Sequence, residues 1–310
     1  MHDISSNAGY WLQQSLNGLF LATLYGVLAT AYALLQGITN RIILSFGDVA
    51  TYGAFVAVSM AIWGLLQGAS GAALLFPALA VALLASAALG RLTHAAVFGP
   101  LIKSSGQAVM IASVGLSIVL QELLRINSSA RDQWLPPLFG TSLPLLDGPF
   151  TVQLGFTQIC AAAAAWGSLA LLHLAMRHSA AGRLWRAVAD QPQLAALSGV
   201  DTVAVLRWTF VAASGFAGLA GGIIAVTYGG VNFAMGLVLG FKAMFAAIIG
   251  GFGSLAGALT GALFLASIEV LWTALFPTTY RDVVVFGIII MVLILKPEGL
   301  LGHATAQHRV

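Results

Sequence analysis

Charged residues interrupt this chain rarely, and between the interruptions the hydrophobic positions run on without alternating. Residues 8–40, 49–90, 208–241 and 243–268 contain no Asp, Glu, Lys or Arg. A strand of a membrane barrel would show an apolar residue at every second position, so these continuous runs read as helices. A helix needs about 20 apolar residues to cross a hydrocarbon core of roughly 30 Å. The run 49–90 is therefore long enough for two crossings, with 64–71 (GLLQGASG) as the turn between them. The pattern predicts spans at 11–36, 48–67, 71–90, 107–126, 151–176, 204–228, 236–251, 253–276 and 280–295. Segment 236–251 covers only about 24 Å, which makes it a short helix or half of a broken one ending at Gly250-Gly251-Phe252-Gly253. The expected fold is all-α: one polytopic transmembrane helix bundle over 1–310, with eight or nine spans and glycine-broken segments.

Composition strengthens this reading. Hydrophobic residues make up 59% of the chain and charged residues 7%, against about a quarter charged in soluble domains. The net charge of +3 and pI near 9.2 do not signify a nucleic-acid partner, because the basic residues lie scattered at span ends. Placing loop 177–203 on the cytoplasmic side puts Arg41, Arg91, Lys103, Arg177, Arg183, Arg186, Arg207, Lys296 and Arg309 there as well. Only Arg125, Arg131 and Arg281 fall outside, a bias of nine to three that sets the C-terminus in the cytoplasm. Loop 127–150, with Pro136, Pro137, Pro144 and Pro149, is then an extracytoplasmic, non-helical cap. No Lys or Arg precedes the first apolar run, so that helix reads as retained rather than cleaved. Cys160 is the single cysteine, which excludes an internal disulfide.

Charges inside a bilayer cost roughly 2.5–3.5 kcal/mol each and need a partner or a purpose. Lys242 lies six residues into its segment and Glu269 seven before Phe276, so both sit about 9–10 Å deep and are expected to pair, bracing two helices. Asp48, at the start of a span, either faces a water-filled vestibule or is solvated at the membrane edge. Glu122 and Arg125 are three apart on one helix and pair locally. The glycine clusters at 215–222 and 250–261 are packing grooves or broken-helix backbone at a solute path. Phe46-Gly47-Asp48 and Phe252-Gly253-Ser254 each precede an Ala/Gly-rich span, a hint of duplicated halves.

The stretch 183–201 (RLWRAVADQPQLAALSGVD) breaks the hydrophobic monotony. Gln191-Pro192 reads as a helix start, with Asp190 as its cap, and Gly199 as its end. A two-turn helix through Ala195 and Ala196, lying between spans, is the shape of an element that fits a groove on a soluble partner. A plain re-entry loop is the bland alternative.

Residues 187–200 (AVADQPQLAALSGV) resemble the cytoplasmic coupling loop of branched-chain amino acid ABC transporter permeases, the LivH-like family. The resemblance continues through 18–34 (GLFLATLYGVLATAYAL), 240–258 (GFKAMFAAIIGGFGSLAGA), 281–287 (RDVVVFG) and 295–302 (LKPEGLLG). One departure is at Ser45-Phe46-Gly47-Asp48: the family's small-residue-His-Gly-acid stretch keeps its acid here but not its His. Gln193-Leu194-Ala195 is a degenerate form of the wider Glu-Ala-Ala pattern. The resemblance implies an ATP-driven importer in the cell inner membrane. There the chain would pair with a second homologous permease, two ABC ATPase subunits and an extracytoplasmic solute-binding protein. Asp190, Gln191, Pro192, Ala195, Ala196 and Gly199 would couple to the ATPases, and Asp48, Lys242 and Glu269 would be the translocation-path or intramembrane charges. The dipeptide Gly-Lys never occurs, so no phosphate loop is present and ATP would be bound by another chain. Two other classes are weighed. A self-sufficient secondary transporter or channel needs a mid-membrane ionisable relay. A membrane enzyme is disfavoured because His2, His94, His173, His178, His303 and His308 show no metal-binding spacing. No cofactor is expected.

Overall fold

A computed structural model describes residues 8–102, 104–139, 142–146, 151–251, 253–296 and 299. Lys103, Phe252, Arg309 and most of the 295–302 motif lie outside them.

The helices are α1 (Ala8–Thr39), α2 (Phe46–Leu66), α3 (Ala72–Thr93), α4 (Gly106–Asn127), α5 (Phe156–His178), α6 (Ala180–Asp190), α7 (Pro192–Leu197), α8 (Thr202–Tyr228), α9 (Met235–Gly250), α10 (Leu255–Leu275) and α11 (Arg281–Leu295). Among the described residues, eight helical segments are long and apolar enough to cross a membrane, and α9 is a shorter apolar helix of 16 residues. The chain is a multi-pass helical membrane protein. The turn expected at 64–71 is present, with Gly68 and Gly71 both in the left-handed region. Ser105, Ser179, Asp201 and Ser254 each cap the helix that follows by accepting a backbone N–H.

One correction concerns the cap between α4 and α5. Residues 152–155 are a strand (β3, Val152–Gly155), paired antiparallel with β2 (Ser142–Leu146), so the fifth span starts at Phe156 rather than 151. A second short pair joins β1 (Gln133–Trp134) to β4 (Gly230–Val231) just ahead of α9.

The core is built from two sets of three helices. α1 packs chiefly on α10, and α8 on α3; α2 lies against α3 and α8, and α9 against α10 and α1. Tyr10 of α1 reaches the carbonyl of Ala274, near the end of α10, while Gly37 meets Gly253 just before α10 begins. α1 is therefore antiparallel to α10. Gly90, Ser86 and Leu79 of α3 meet Ser214, Gly218 and Gly222 of α8 in turn, so that pair is antiparallel too. α1 ends beside Trp185, at the end of the bundle where α8 begins. The trios α1–α2–α3 and α8–α9–α10 thus have matching contacts and opposite direction, an inverted repeat. Its equivalence sets Phe46-Gly47 against Met235-Gly236, not against Phe252-Gly253 as the sequence hint had it. At the centre, where α2 and α9 begin, a methyl on Gly47 would overlap the Gly236 carbonyl, and one on Gly236 would overlap Asp48 and Thr51.

Outside this core stand α4, α5 and α11. They turn large apolar side chains outward, among them Ile118, Leu171, Ile290 and Met291, as contact with lipid requires.

Candidate functional site

Three regions bring together the polar side chains of this apolar bundle. The first is the break between α1 and α2. Asn40, in the left-handed conformation that asparagine tolerates, ends α1. Residues 40–45 are then non-helical and climb alongside α4. Arg41 donates to the carbonyls of Leu101 and Ile102 (3.4 and 3.1 Å), below the start of α4. The Leu44 amide donates to Ser113 Oγ at 3.1 Å, about 10 Å up that helix. Asp48 accepts from Ser117 Oγ, about 16 Å up, and from Gln121 Nε2 at 2.9 Å. Non-helical backbone at this depth is tolerated because protein side chains satisfy it. Asp48 is consequently fully buried, 0% exposed. The solvated-edge expectation for it is thereby corrected, because α2 begins inside the bundle rather than at its surface. No cation contacts Asp48 among the described residues.

The second region lies towards the opposite end, at α9, α10 and α11. Lys242 Nζ is 2.9 Å from Glu269 Oε1, the pair expected from their matched depth. The pair has company that sequence reasoning missed. Lys242 also reaches Asp282 (3.0 Å), Arg281 Nε reaches Glu269 Oε1 (3.2 Å) and Asp282 (3.3 Å), and the Tyr25 hydroxyl donates to Glu269 Oε2 (2.8 Å). Two cations and two carboxylates balance. Lys242 and Glu269 side chains are 4% and 5% exposed, whereas Arg281 and Asp282 are 39% and 44%. The network borders a cavity of about 470 Å³ lined by Tyr25, Tyr228, Lys242, Glu269, Thr273 and Arg281, with apolar walls from Leu21, Ile224, Leu239 and Val270. Glu122 and Arg125 pair separately at 2.7 Å on the exposed face of α4.

The third region is the corner formed by α6 and α7. α7 begins at Pro192 and ends in a Schellman turn, with Val200 N–H on the Ala195 carbonyl, Gly199 N–H on that of Ala196, and Gly199 at φ 84°. Start and stop are where the sequence put them. The cap is not: Asp190 is the last residue of α6, and Gln191 occupies the cap position without a side-chain bond. Asp190, Gln191, Pro192, Ala196 and Gly199 are exposed, and only Ala195 is buried. Leu194 and Leu197 stand out at 57% and 85% exposure. α6, not foreseen as a helix, turns Gly182, Trp185 and Val188 inward, and the Trp185 indole donates to the Leu34 carbonyl at 3.2 Å. The spacing of these three residues by three was the available signal.

A family model described as "Branched-chain amino acid transport system / permease component" matches residues 14–293. The chain is similar to the high-affinity branched-chain amino acid transport system permease protein LivH of Salmonella typhimurium and of Escherichia coli K12. Each is 32% identical over 300 residues, covering 96% of this chain and 97% of the relative. It is also similar to the corresponding protein BraD of Pseudomonas aeruginosa, 28% identical over 96% of this chain and 98% of that one. No solved structure matches.

Proposed function

Because the chain belongs to the family of branched-chain amino acid transport system permease components, we propose that it is the permease subunit of an ATP-driven ABC importer. It forms the translocation path for branched-chain amino acids or similar small polar solutes across the cell inner membrane. In this reading it works beside a second homologous permease, two ABC ATPase subunits and an extracytoplasmic solute-binding protein, and its C-terminus is cytoplasmic. ATP is hydrolysed on the separate subunits. The α6–α7 corner is the coupling element, with Asp190, Gln191, Pro192, Ala195, Ala196 and Gly199 as its residues. Asp48, Lys242 and Glu269 are the polar residues of the path.

The observation that carries this reading is the family match across nearly the whole chain. The α7 corner supports it: a two-turn helix between spans leaves Leu194 and Leu197 bare on one side, the apolar ridge that a groove on another protein would cover. The test is reconstitution in liposomes. The chain alone should move no solute down a gradient; with its ATPases and binding protein, ATP should drive uptake. Leu197→Asp should leave thermal stability unchanged, since the residue is surface-exposed, while abolishing transport-linked ATP hydrolysis. Gradient-driven flux through the isolated chain would overturn the importer reading in favour of a self-sufficient transporter.

A further inference from the structure

We infer that the corner where α5 turns into α6 is a binding site for the phosphate headgroup of an anionic phospholipid. Arg177, Arg183 and Arg186 take the phosphate, and the acyl chains lie against the outward face of α5. The inference goes beyond the importer reading and needs only that the chain spans a bilayer.

The corner is tightly built. α5 ends at His178, Ser179 caps α6 by accepting from the Gly182 amide, and a methyl on Gly182 would overlap the Met176 carbonyl. α6 therefore folds against the end of α5, and its arginines reach back to the last turn of that helix. Arg183 Nη1 donates to the His178 carbonyl (3.4 Å) and Arg186 Nη1 to the Met176 carbonyl (2.5 Å). Capping in this way occupies one nitrogen and leaves the rest of each guanidinium fork free. Among the described residues neither side chain has a further partner, the Arg177 side chain has none, and no ion pair involves any of the three. All three are exposed. Positive charge is thus gathered here with planar donors to spare, the arrangement that grips a phosphate.

The surroundings decide which phosphate. Leu174 lies three residues before Arg177 and Leu171 three before that, so they share one face of α5, and both are exposed. By the helix rise this apolar wall lies about 5–9 Å from Arg177 along the axis, into the bilayer. An amphiphile with an anion above its tails covers both parts, whereas free phosphate leaves the wall bare. On the far side of the corner the chemistry reverses. Asp190 ends α6 and Asp201 caps α8, so acids flank α7 and its bare Leu194 and Leu197. A soluble partner seated on α7 meets acids and leucines; the basic corner is left to the membrane surface.

The test uses the permease assembled with its partner subunits, stripped of lipid in a non-ionic detergent. Binding of tritiated phosphatidylglycerol in mixed micelles is read by scintillation proximity. Saturable binding is expected, with at least roughly 30-fold weaker displacement by phosphatidylcholine, whose choline cancels the phosphate charge. Glycerol 3-phosphate and inorganic phosphate, which lack tails, should not displace it. Arg177→Gln should weaken binding about fivefold, and the triple variant Arg177→Gln, Arg183→Gln, Arg186→Gln about 100-fold. Arg91→Gln, at an exposed arginine where α3 reaches the same end of the bundle, should change nothing. Thermal unfolding is recorded alongside, because Arg183 and Arg186 also cap α5; Arg177→Gln touches no cap, and the competitor series needs no variant. Absence of saturable binding, equal displacement by phosphatidylcholine or by free phosphate, an equal loss in Arg91→Gln, or unchanged affinity in the folded triple variant would overturn the proposal. A triple variant that keeps the lipid but no longer co-purifies with the ATPase subunits would overturn it too, and would assign the corner to a protein interface.

Discussion

Asp48 and Glu269 are both buried carboxylates in the same apolar bundle, yet they are held by opposite means. Glu269 is compensated by charge: Lys242 and Arg281 approach one of its oxygens and the Tyr25 hydroxyl the other. Asp48 is compensated by neutral donors alone, Ser117 and Gln121, both from α4. The first arrangement ties five side chains from four helices to one another, so no member can be changed alone. The second ties a single carboxylate to one face of a peripheral helix. Asp48 lies at the crossing of α2 and α9 beside Gly236, whereas Glu269 meets α9 through Lys242, further along that helix.

The largest effect should come from the charged network. Glu269→Ala leaves Lys242 and Arg281 facing each other with Asp282 as their single acid, and should cost about 3–5 kcal/mol in thermal or denaturant unfolding. Exchanging Lys242 and Glu269 is a sharper probe. A pair acting alone would be restored by the exchange, as its matched depth suggested. The network predicts no rescue, because the exchange sets a glutamate at 242 against Asp282 and a lysine at 269 against Arg281. Recovered uptake in the double variant would show that the outer two residues contribute nothing.

Next in size is Gly236→Ala, which drives a methyl into Asp48 and Thr51 at the crossing of α2 and α9. Overpacking of this kind costs about 1–3 kcal/mol and should appear as a lowered Tm. Asp48→Asn should be milder, since the amide oxygen still accepts and no cation loses a partner; a stability change of about 1 kcal/mol or less is expected. If Asp48 belongs to the path, uptake per inserted protein falls far more than that change accounts for. A loss of uptake merely in proportion to stability would assign it a structural role. Smallest is Ser113→Ala, which removes the bond to the Leu44 amide and should cost about 1 kcal/mol by the same unfolding measurement.

How much of this was readable beforehand follows from how local each feature is. The spans were legible because a bilayer demands long apolar runs. The start and stop of α7 were legible because Pro192 and Gly199 act on their own backbone. The Lys242–Glu269 contact came from depth counting alone. The extended climb of 40–45 was not legible: a break in hydrophobicity at Asn40-Arg41 looks the same whether the next helix begins at the surface or about 16 Å inside. Arg281 read as an outer topology charge, and only tertiary packing turns its Nε towards Glu269. The strand at 152–155 was hidden by a continuous apolar run, although Val152, Gln153 and Leu154 alternate and Gly155 closes them. The wrong alignment of halves arose because Phe-Gly recurs at 252 by composition, while the packing equivalence is carried by Gly47 and Gly236.

One consequence of α1 remains. It is a single helix of 32 residues that touches the Trp185 indole through the Leu34 carbonyl and the Glu269 carboxylate through the Tyr25 hydroxyl. Those two points are nine residues apart, about 14 Å along one regular hydrogen-bonded rod. Such a rod resists stretching, so axial travel of the indole has two outcomes: it breaks the bond to Leu34, or it arrives undiminished as displacement of the phenol against the acid.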